Sequence, residues 1–180
     1  VIVTADDPGM HSSQNEQDNR GFARMAGVPL LEPADSNEAR EYTAIAFAIS
    51  EEFDTPVLVR TTTRVSHNRG LVRLGSRIEH PTTGFTRDPR KYVMIPGHAR
   101  FRRPEMLKRL ERLTEYVEAS PLTVESGHSS DIGVVTSGIA HNYVREVLPD
   151  AKILKLGMSY PVPIEAIRAF AESVDRLLVV

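Results

Sequence analysis

The first twenty residues decide the fold class, and they read VIVTADDPGMHSSQNEQDNR. The run at positions 1–4 is apolar enough for a strand that is covered on both faces of a parallel sheet. Residues 6–20 contain one sizeable hydrophobic side chain, Met10, so we expect neither a strand nor the buried face of a helix there. A polar loop at the carboxyl end of a buried strand is where open α/β sheets bind ligands.

The next segments follow a strand–helix–strand order. Apolar residues recur at steps of three and four between positions 36 and 53, which predicts one buried helical face. Asp35 and Glu38 form a capping-box pattern at its start, and Asp54-Thr-Pro56 ends it. Short apolar strands are predicted at 29–31 and 57–59. This βαβ order indicates a parallel sheet with right-handed crossovers, hence an α/β fold.

The rest of the chain divides into two parts. Residues 76–130 are predicted to be a linker with one helix, from Pro104 to about position 119, and with one possible strand at 92–95. Residues 131–180 repeat the βαβ order, with strands at 132–136, 152–156 and 177–180 and with helices between them. Because the chain starts and stops in what looks like buried strand, we expect it to be a piece of a longer polypeptide.

The composition narrows the possible functions. The chain has 180 residues, 22 basic and 24 acidic side chains and a formal net charge of −2, so no overall field recruits nucleic acid or an anionic membrane. It contains no cysteine, which excludes disulfides, thiol catalysis and iron–sulfur ligation by these residues. No transmembrane run or signal peptide is visible, and a cytoplasmic protein is expected. No metal site is predicted, because the six histidines are far apart in the sequence.

Two polar loops are the main candidate site. His11, Ser12, Gln14 and Asn15 belong to the first loop, which could instead cap a helix that starts near Gln14. The second loop continues the strand at 57–59 as RTTTRVSH, residues 60–67, and contains two arginines, Arg60 and Arg64, that suit a carboxylate, a phosphate or the acidic groups of a partner. Since both loops follow parallel strands, they are expected to open on the same edge of the sheet.

A basic segment and a strand-to-helix turn are weaker signals. Nine basic residues lie between positions 87 and 112 against three acidic ones, which could dock an acidic partner but more often marks a solvated face. Ser137-Gly138 at a strand-to-helix turn could hold a phosphate on helix amides, although a single glycine is a weak signal. No Rossmann or P-loop glycine motif and no nucleophile elbow occurs in the chain.

Three stretches carry a resemblance to a known family: ADDPGMHSSQNEQDNR at 5–20, RTTTRVSHNRG at 60–70 and LKLGMSYPVP at 154–163. They resemble the alpha subunits of the indolepyruvate ferredoxin oxidoreductases, which belong to the thiamine-diphosphate-dependent 2-oxoacid:ferredoxin oxidoreductases. The resemblance implies that residues 1–75 are part of a pyrimidine-binding domain. It also implies that residues 131–180 begin a transketolase C-terminal-like domain.

The same resemblance implies an activity. The family converts an aryl 2-oxoacid, coenzyme A and oxidised ferredoxin to an aryl-acetyl thioester, carbon dioxide and reduced ferredoxin, with thiamine diphosphate and Mg²⁺ as cofactors. The expected partners are the beta subunit, ferredoxin, coenzyme A and the 2-oxoacid. The family's activating glutamate, its G-D-G diphosphate motif and its 4Fe-4S cysteines have no counterpart in these residues. We therefore expect the 180 residues alone to be inactive.

By this resemblance, two histidines are the predicted catalytic residues, namely His11 and His67. Either could shuttle protons near neutral pH. The predicted substrate or cofactor pocket consists of Ser12, Gln14, Asn15, Arg20, Arg60, Thr61, Arg64 and Ser66. Arg64 is the candidate partner of the substrate carboxylate.

Two alternatives stay open at this point. A pyruvate or 2-oxoglutarate oxidoreductase subunit is one, since no residue reports the size of the substrate side chain. The other is a non-catalytic α/β module that binds a nucleotide or a protein, in which the turn at Ser137-Gly138 would be the key feature.

Overall fold

The computed structural model describes residues 1–10, 14–77 and 84–180. In these residues the strands form two four-stranded sheets. The first sheet has the order β1–β3–β2–β7, and the second has the order β4–β6–β5–β8. The strands are β1 Ile2–Asp6, β2 Leu30–Leu31, β3 Leu58–Thr62, β4 Thr123–Ser126, β5 Ile132–Ser137, β6 Lys152–Leu156, β7 Met158–Tyr160 and β8 Arg176–Val179.

Parallel pairing dominates both sheets. β3 pairs in parallel with β1 and β2, and β5 pairs in parallel with β6 and β8. One antiparallel strand completes each sheet, β7 against β2 and β4 against β6. The predicted α/β fold with parallel sheets is confirmed.

The described residues contain one short 3₁₀ helix, Pro8–Met10, and seven α-helices: α1 Arg20–Ala26, α2 Ser36–Phe53, α3 Thr63–Ser66, α4 Pro89–Tyr92, α5 Pro96–Glu118, α6 Ala140–Val147 and α7 Ile164–Glu172. The main core joins α2 and α5 to the first sheet through side chains such as Ile49, Val59, Leu113, Val117 and Met158. Among the helices described, none is long and apolar enough to cross a membrane.

The start of α2 confirms the predicted capping box. The Asp35 carboxylate accepts a hydrogen bond from the Glu38 backbone N–H at 2.8 Å, and the Glu38 carboxylate accepts one from the Ala34 N–H at 2.8 Å. The first bond satisfies a backbone donor that a helix start otherwise leaves unpaired, and the second holds the residue before the cap against the first turn. Local sequence therefore determines where this helix begins.

Four local predictions are wrong. The strands at the two ends of the chain, β1 and β8, were expected to be buried, but both are edge strands, and Val3 is 65% and Val179 79% exposed. The expected strand at 92–95 is not formed, because Pro89–Tyr92 is a helical turn that Asp88 caps. Helix α5 begins at Pro96 rather than Pro104, since Pro96 already provides the proline that the first turn tolerates. No helix starts near Gln14, and α1 begins at Arg20. Strands β4 and β7 were not predicted.

Candidate functional site

The two polar loops do open on the same edge of the first sheet, as predicted. β1 and β3 are parallel neighbours, and their registers end with Asp6 opposite Thr62. Helix α3 follows β3 directly, and the Thr63 hydroxyl donates a hydrogen bond to the Asp7 carboxylate at 2.7 Å. This contact joins the first residues of the two loops. His11 and Ser12 lie outside the described residues.

Arg60 lies between two buried carboxylates at this edge. Its Nε donates to Asp6 Oδ2 and its Nη1 to Glu32 Oε1, both at 2.5 Å. Arg60 is 7% exposed, Asp6 0% and Glu32 2%. A buried charge needs such partners, because leaving it unpaired in a low-dielectric interior costs several kcal/mol. The guanidinium of Arg60 is therefore held by partners inside the protein.

Asp6 also fixes the end of the first loop. Its carboxylate accepts hydrogen bonds from the backbone N–H of Asn19 at 2.7 Å and from the Asn19 side-chain amide at 2.5 Å. Next to it, Arg20 forms an ion pair with Asp18 at 2.6 Å. The hydrogen bond from Arg20 lowers the pKa of Asp18 to about 2. The loop thus reaches α1 through a set of charged contacts.

We call the first opening the inner cleft; it is lined by Pro8, Arg20, Glu32, Pro33, Arg60, Thr62, Ser137, Gly138, Ile139, Ala140 and Val180. Its volume is about 180 Å³, which fits a small polar group. The Thr62 hydroxyl is buried and has no hydrogen-bond partner among the described residues. Ser137 from the second sheet donates to Glu32 at 3.2 Å, so both sheets contribute to this cleft.

The predicted turn at Ser137-Gly138 therefore lies beside the Arg60 cluster. Gly138 has a φ of +53°, a conformation that favours glycine. Helix α6 begins two residues later, at Ala140. The turn places the Ser137 hydroxyl at the inner cleft, where it donates to the Glu32 carboxylate. The groups of this turn therefore face an acidic side chain and not an unpaired cation.

The second opening, the outer cleft, is lined by Thr63, Arg64, His67 and Asn68. Its volume is about 290 Å³. Arg64 and His67 are exposed, and Arg64 makes no ion pair within the described part of the chain. One turn of helix brings these two predicted residues together, because positions three apart share a helix face.

The other predicted site residues are distributed around these openings. Thr61 and Ser66 share a hydroxyl–hydroxyl hydrogen bond of 2.9 Å, which fixes the end of β3 against α3. Gln14 and Asn15 are exposed and line neither cleft. Arg20 and Arg60 line the inner cleft, whereas Arg64 and His67 line the outer one.

The inner and outer clefts differ in the charge that they present to a ligand. Asp6, Glu32 and Arg60 together carry a net charge of −1, and the Asp18–Arg20 pair adds nothing to it. An incoming carboxylate would meet a negative cluster at the inner cleft. At the outer cleft it would meet the Arg64 guanidinium, whose planar donors match a carboxylate.

Sequence reasoning missed the role of Glu32 and of Asp6. Glu32 follows the two-residue strand β2 in a run of buried residues, and a buried acid at a strand end was a usable signal. Its partner Arg60 is 28 positions away, so only the sheet pairing brings them together.

The residues described here do not fit a metal centre. No group of three or more His, Cys, Asp or Glu side chains in residues 1–10, 14–77 and 84–180 could hold a metal ion. The unpartnered Thr62 hydroxyl and the exposed Arg64 suit small polar groups.

The fold matches that of a known class of oxidoreductase. The chain superimposes on a 2-oxoglutarate:ferredoxin oxidoreductase from Magnetococcus marinus, solved with 2-oxoglutarate, coenzyme A and succinyl-CoA bound, with a TM-score of 0.67. The match covers 98% of this chain and 40% of that chain at 13% sequence identity. At that identity the likeness establishes the shared fold.

Sequence relatives are more specific. The chain is 46% identical to the indolepyruvate oxidoreductase subunit IorA of Methanothermobacter thermautotrophicus and 42% identical to that of Thermococcus kodakarensis. Each match covers the whole of this chain and 30% of the relative, so the chain spans about a third of their length. No protein-family model matches the chain. The resemblance to the alpha subunits of indolepyruvate oxidoreductases is confirmed along the entire sequence.

Proposed function

We propose that this chain forms one wall of the substrate site in an enzyme that oxidatively decarboxylates aryl 2-oxoacids such as indolepyruvate, with ferredoxin as electron acceptor. The observation that carries the proposal is the pairing of β1 with β3, which brings two polar loops to one sheet edge. Relatives at 37–46% identity bear the name indolepyruvate oxidoreductase, which supports the substrate class.

In this proposal Arg64 binds the carboxylate of the 2-oxoacid. Arg64 has no acidic partner in the described residues, whereas Arg60 is already paired with Asp6, Glu32 and Asp18. A bidentate guanidinium fixes the orientation of a carboxylate as well as its position. The aryl 2-oxoacid would therefore enter through the outer cleft.

His67 is the proposed proton carrier of this wall. It lines the outer cleft together with Arg64, and an exposed imidazole has one ring nitrogen that donates and one that accepts a hydrogen bond. His11, the other predicted catalytic residue, stays a prediction. Residues of the Arg60 cluster hold the loops in place, and we assign them a positioning role.

Thiamine diphosphate with Mg²⁺ is the proposed cofactor of the complete enzyme, where it supplies the carbanion-stabilising chemistry. Its diphosphate and metal are proposed to be held by other parts of the enzyme, because the G-D-G motif that the resemblance assigns to them does not occur in this chain. The 4Fe-4S clusters are likewise proposed to lie elsewhere, since this chain has no cysteine. The polar loops would face the organic part of the cofactor.

The proposed partners are a beta subunit, coenzyme A and ferredoxin, and the proposed location is the cytoplasm. The proposed domain assignment places residues 1–75 in the pyrimidine-binding domain and residues 131–180 in the transketolase C-terminal-like domain. Strand β7 pairs with β2 across these two parts, so the proposal includes a tight junction between them.

The test uses the full-length protein assembled with its beta subunit. Ferredoxin reduction is measured with indolepyruvate, phenylpyruvate, pyruvate and 2-oxoglutarate in the presence of coenzyme A. We expect the aryl substrates to give the highest kcat/KM. Faster turnover of pyruvate or 2-oxoglutarate would contradict the aryl assignment, and no turnover of any 2-oxoacid would contradict the activity itself.

The role of Arg64 is tested in the same assay. Arg64→Ala should raise the KM for indolepyruvate roughly ten- to hundredfold, because a hydrogen-bonded charge contributes about 1.5–3 kcal/mol. Arg69→Ala is the matched control, since Arg69 is an exposed arginine five residues after Arg64 that lines neither cleft. An unchanged KM for Arg64→Ala would remove the assignment.

A further inference from the structure

A third cleft lies on the second sheet, away from the two polar loops, and nothing in the proposed reaction uses it. It has a volume of about 530 Å³ and is bounded by α6, β4 and β6. Its charged and polar side chains include Glu38, His141, Arg145 and Lys155, and its apolar wall includes Val124 and Ile153. A volume of this size is typical of sites for small organic ligands.

The sheet register explains why the cleft exists. Val124 pairs with Lys155 and Ser126 with Ile153, so these four side chains share one face of the antiparallel pair. Helix α6 covers the neighbouring part of that face, where Val144 packs against Val134 and Ile153. The β4 side stays open, and Val124 is 46% exposed.

Lys155 is the buried cation at the floor of the cleft. It is 5% exposed and forms an ion pair with Glu38 of α2, which links the second sheet to the first. The second carboxylate oxygen of Glu38 accepts the Ala34 backbone N–H. Each carboxylate oxygen of Glu38 thus has one partner. The ammonium of Lys155 has three N–H donors, and Glu38 accepts from one of them.

His141 adds an unused polar atom. Its Nδ1 is buried and has no hydrogen-bond partner among the described residues. Burial, with the nearby charge of Lys155 as a second cause, holds the pKa of His141 below its usual 6.5, so the ring is neutral at pH 7. A buried nitrogen without a partner costs free energy that a bound polar group would recover.

Arg145 is the second cationic side chain of the cleft, after Lys155. It is exposed on α6, four residues after His141, and makes no ion pair within the described part of the chain. Arg145 and Lys155 contribute two positive charges and Glu38 one negative charge, so the cleft carries a net charge of +1. That charge matches a monoanion and would be over-compensated by a dianion such as a phosphate monoester.

We infer that this cleft is a second ligand site, which binds a small carboxylate with an apolar body. The carboxylate would contact Arg145 and the buried Lys155–His141 floor, and the apolar body would lie on Val124 and Ile153. The site does not depend on the activity proposed for the polar loops, because it shares no residue with the inner or outer cleft.

The experiment measures binding of phenylacetate, acetate and inorganic phosphate to the full-length protein by isothermal titration calorimetry, without 2-oxoacid. Three variants are compared with the wild type: Arg145→Gln, Arg64→Ala and Arg168→Gln. Arg168 is an exposed arginine on α7 and serves as the matched control. The unfolding profile of each variant is recorded, and exposed positions are expected to leave it unchanged.

We expect phenylacetate to bind the wild type more tightly than acetate or phosphate. Arg145→Gln should weaken it roughly ten- to hundredfold, while Arg64→Ala and Arg168→Gln bind as the wild type does. The inference is overturned if phenylacetate does not bind, if Arg145→Gln binds it unchanged, or if Arg64→Ala alone loses it. Tighter binding of phosphate than of phenylacetate would overturn the carboxylate class.

Discussion

Arg60 and Arg64 belong to the same loop sequence, four residues apart, and the structure places them in opposite situations. Arg60 is buried and bonded to Asp6 and Glu32. Arg64 is exposed on the next turn, beside His67, with no acidic partner in the described residues. The two guanidiniums are chemically identical, so the difference arises entirely from their surroundings.

This difference separates a positioning residue from a binding residue. A guanidinium whose donors are taken by buried carboxylates fixes the architecture of the site, whereas an unpaired one at an open cleft is available to a ligand. The sequence alone placed both arginines in one candidate pocket. Four substitutions test this difference, and they are given in order of decreasing effect on the free energy of unfolding.

The largest effect is expected from Arg60→Met. The substitution leaves Asp6 and Glu32 as two buried carboxylates with no cation between them, and removal of one partner from such a pair costs about 3–5 kcal/mol. The free energy of unfolding, measured with urea, should fall by that amount. Arg64→Met is the control, with a change within about 0.5 kcal/mol. An equal loss of unfolding free energy in Arg60→Met and Arg64→Met would contradict the distinction between a paired and an unpaired arginine.

Asp6→Asn should come next, with a loss of about 1.5–3 kcal/mol. Asp6 accepts bonds from Arg60 and from two groups of Asn19 through both carboxylate oxygens, and asparagine keeps only one accepting oxygen, so an NH₂ group faces a donor on the other side. Hydrogen exchange at the Asn19 backbone amide should become faster, since either that amide or the Asn19 side-chain amide then faces an NH₂ group. Unchanged exchange would show that Asp6 does not hold the first loop.

Thr63→Val is expected to cost about 1 kcal/mol, because the Thr63 hydroxyl donates to the Asp7 carboxylate. Thr62→Val is the matched control, since the Thr62 hydroxyl is buried without a partner in the described residues. Its replacement should leave the free energy of unfolding equal or slightly higher. If Thr62→Val is the more damaging of the two, the hydrogen bonds at this edge are assigned incorrectly.

The smallest effect concerns Arg20→Gln at the exposed Asp18 pair. Asp18 has a pKa lowered to about 2, so the pair stabilises the fold above pH 3.8 and loses this contribution as the pH falls through 2. Arg20→Gln should return the Asp18 pKa toward 3.8, as seen by NMR titration of its carboxyl carbon. Because the pair is exposed, the change in stability should be only a few tenths of a kcal/mol. A pKa that stays near 2 would assign the lowering to other groups.

Sequence reasoning succeeded where the signal is local. Helix α2 and its cap at Asp35 are encoded within 18 residues by periodicity and one hydrogen bond. The common edge of β1 and β3 follows from βαβ order, which permits few topologies.

Prediction from the sequence failed where contacts between residues far apart in the chain determine the structure. Strand β7 forms only because β2 offers it an antiparallel edge, and nothing near Met158 encodes that partner. The Arg60–Glu32 pair likewise joins two strands whose contact is a property of the sheet. Either Pro96 or Pro104 could have marked the first turn of α5. The structure shows that the helix begins at Pro96 and that Pro104 lies inside it.

The most direct measurement of the distinction between Arg60 and Arg64 is their chemical accessibility in the assembled full-length enzyme. The protein is treated with phenylglyoxal, which modifies accessible guanidiniums, and the extent of modification at each arginine is read by mass spectrometry. We predict rapid modification of Arg64 that indolepyruvate suppresses, and slow modification of Arg60 with or without substrate. Modification of Arg60 as fast as that of Arg64, or no protection of Arg64 by substrate, would contradict the account.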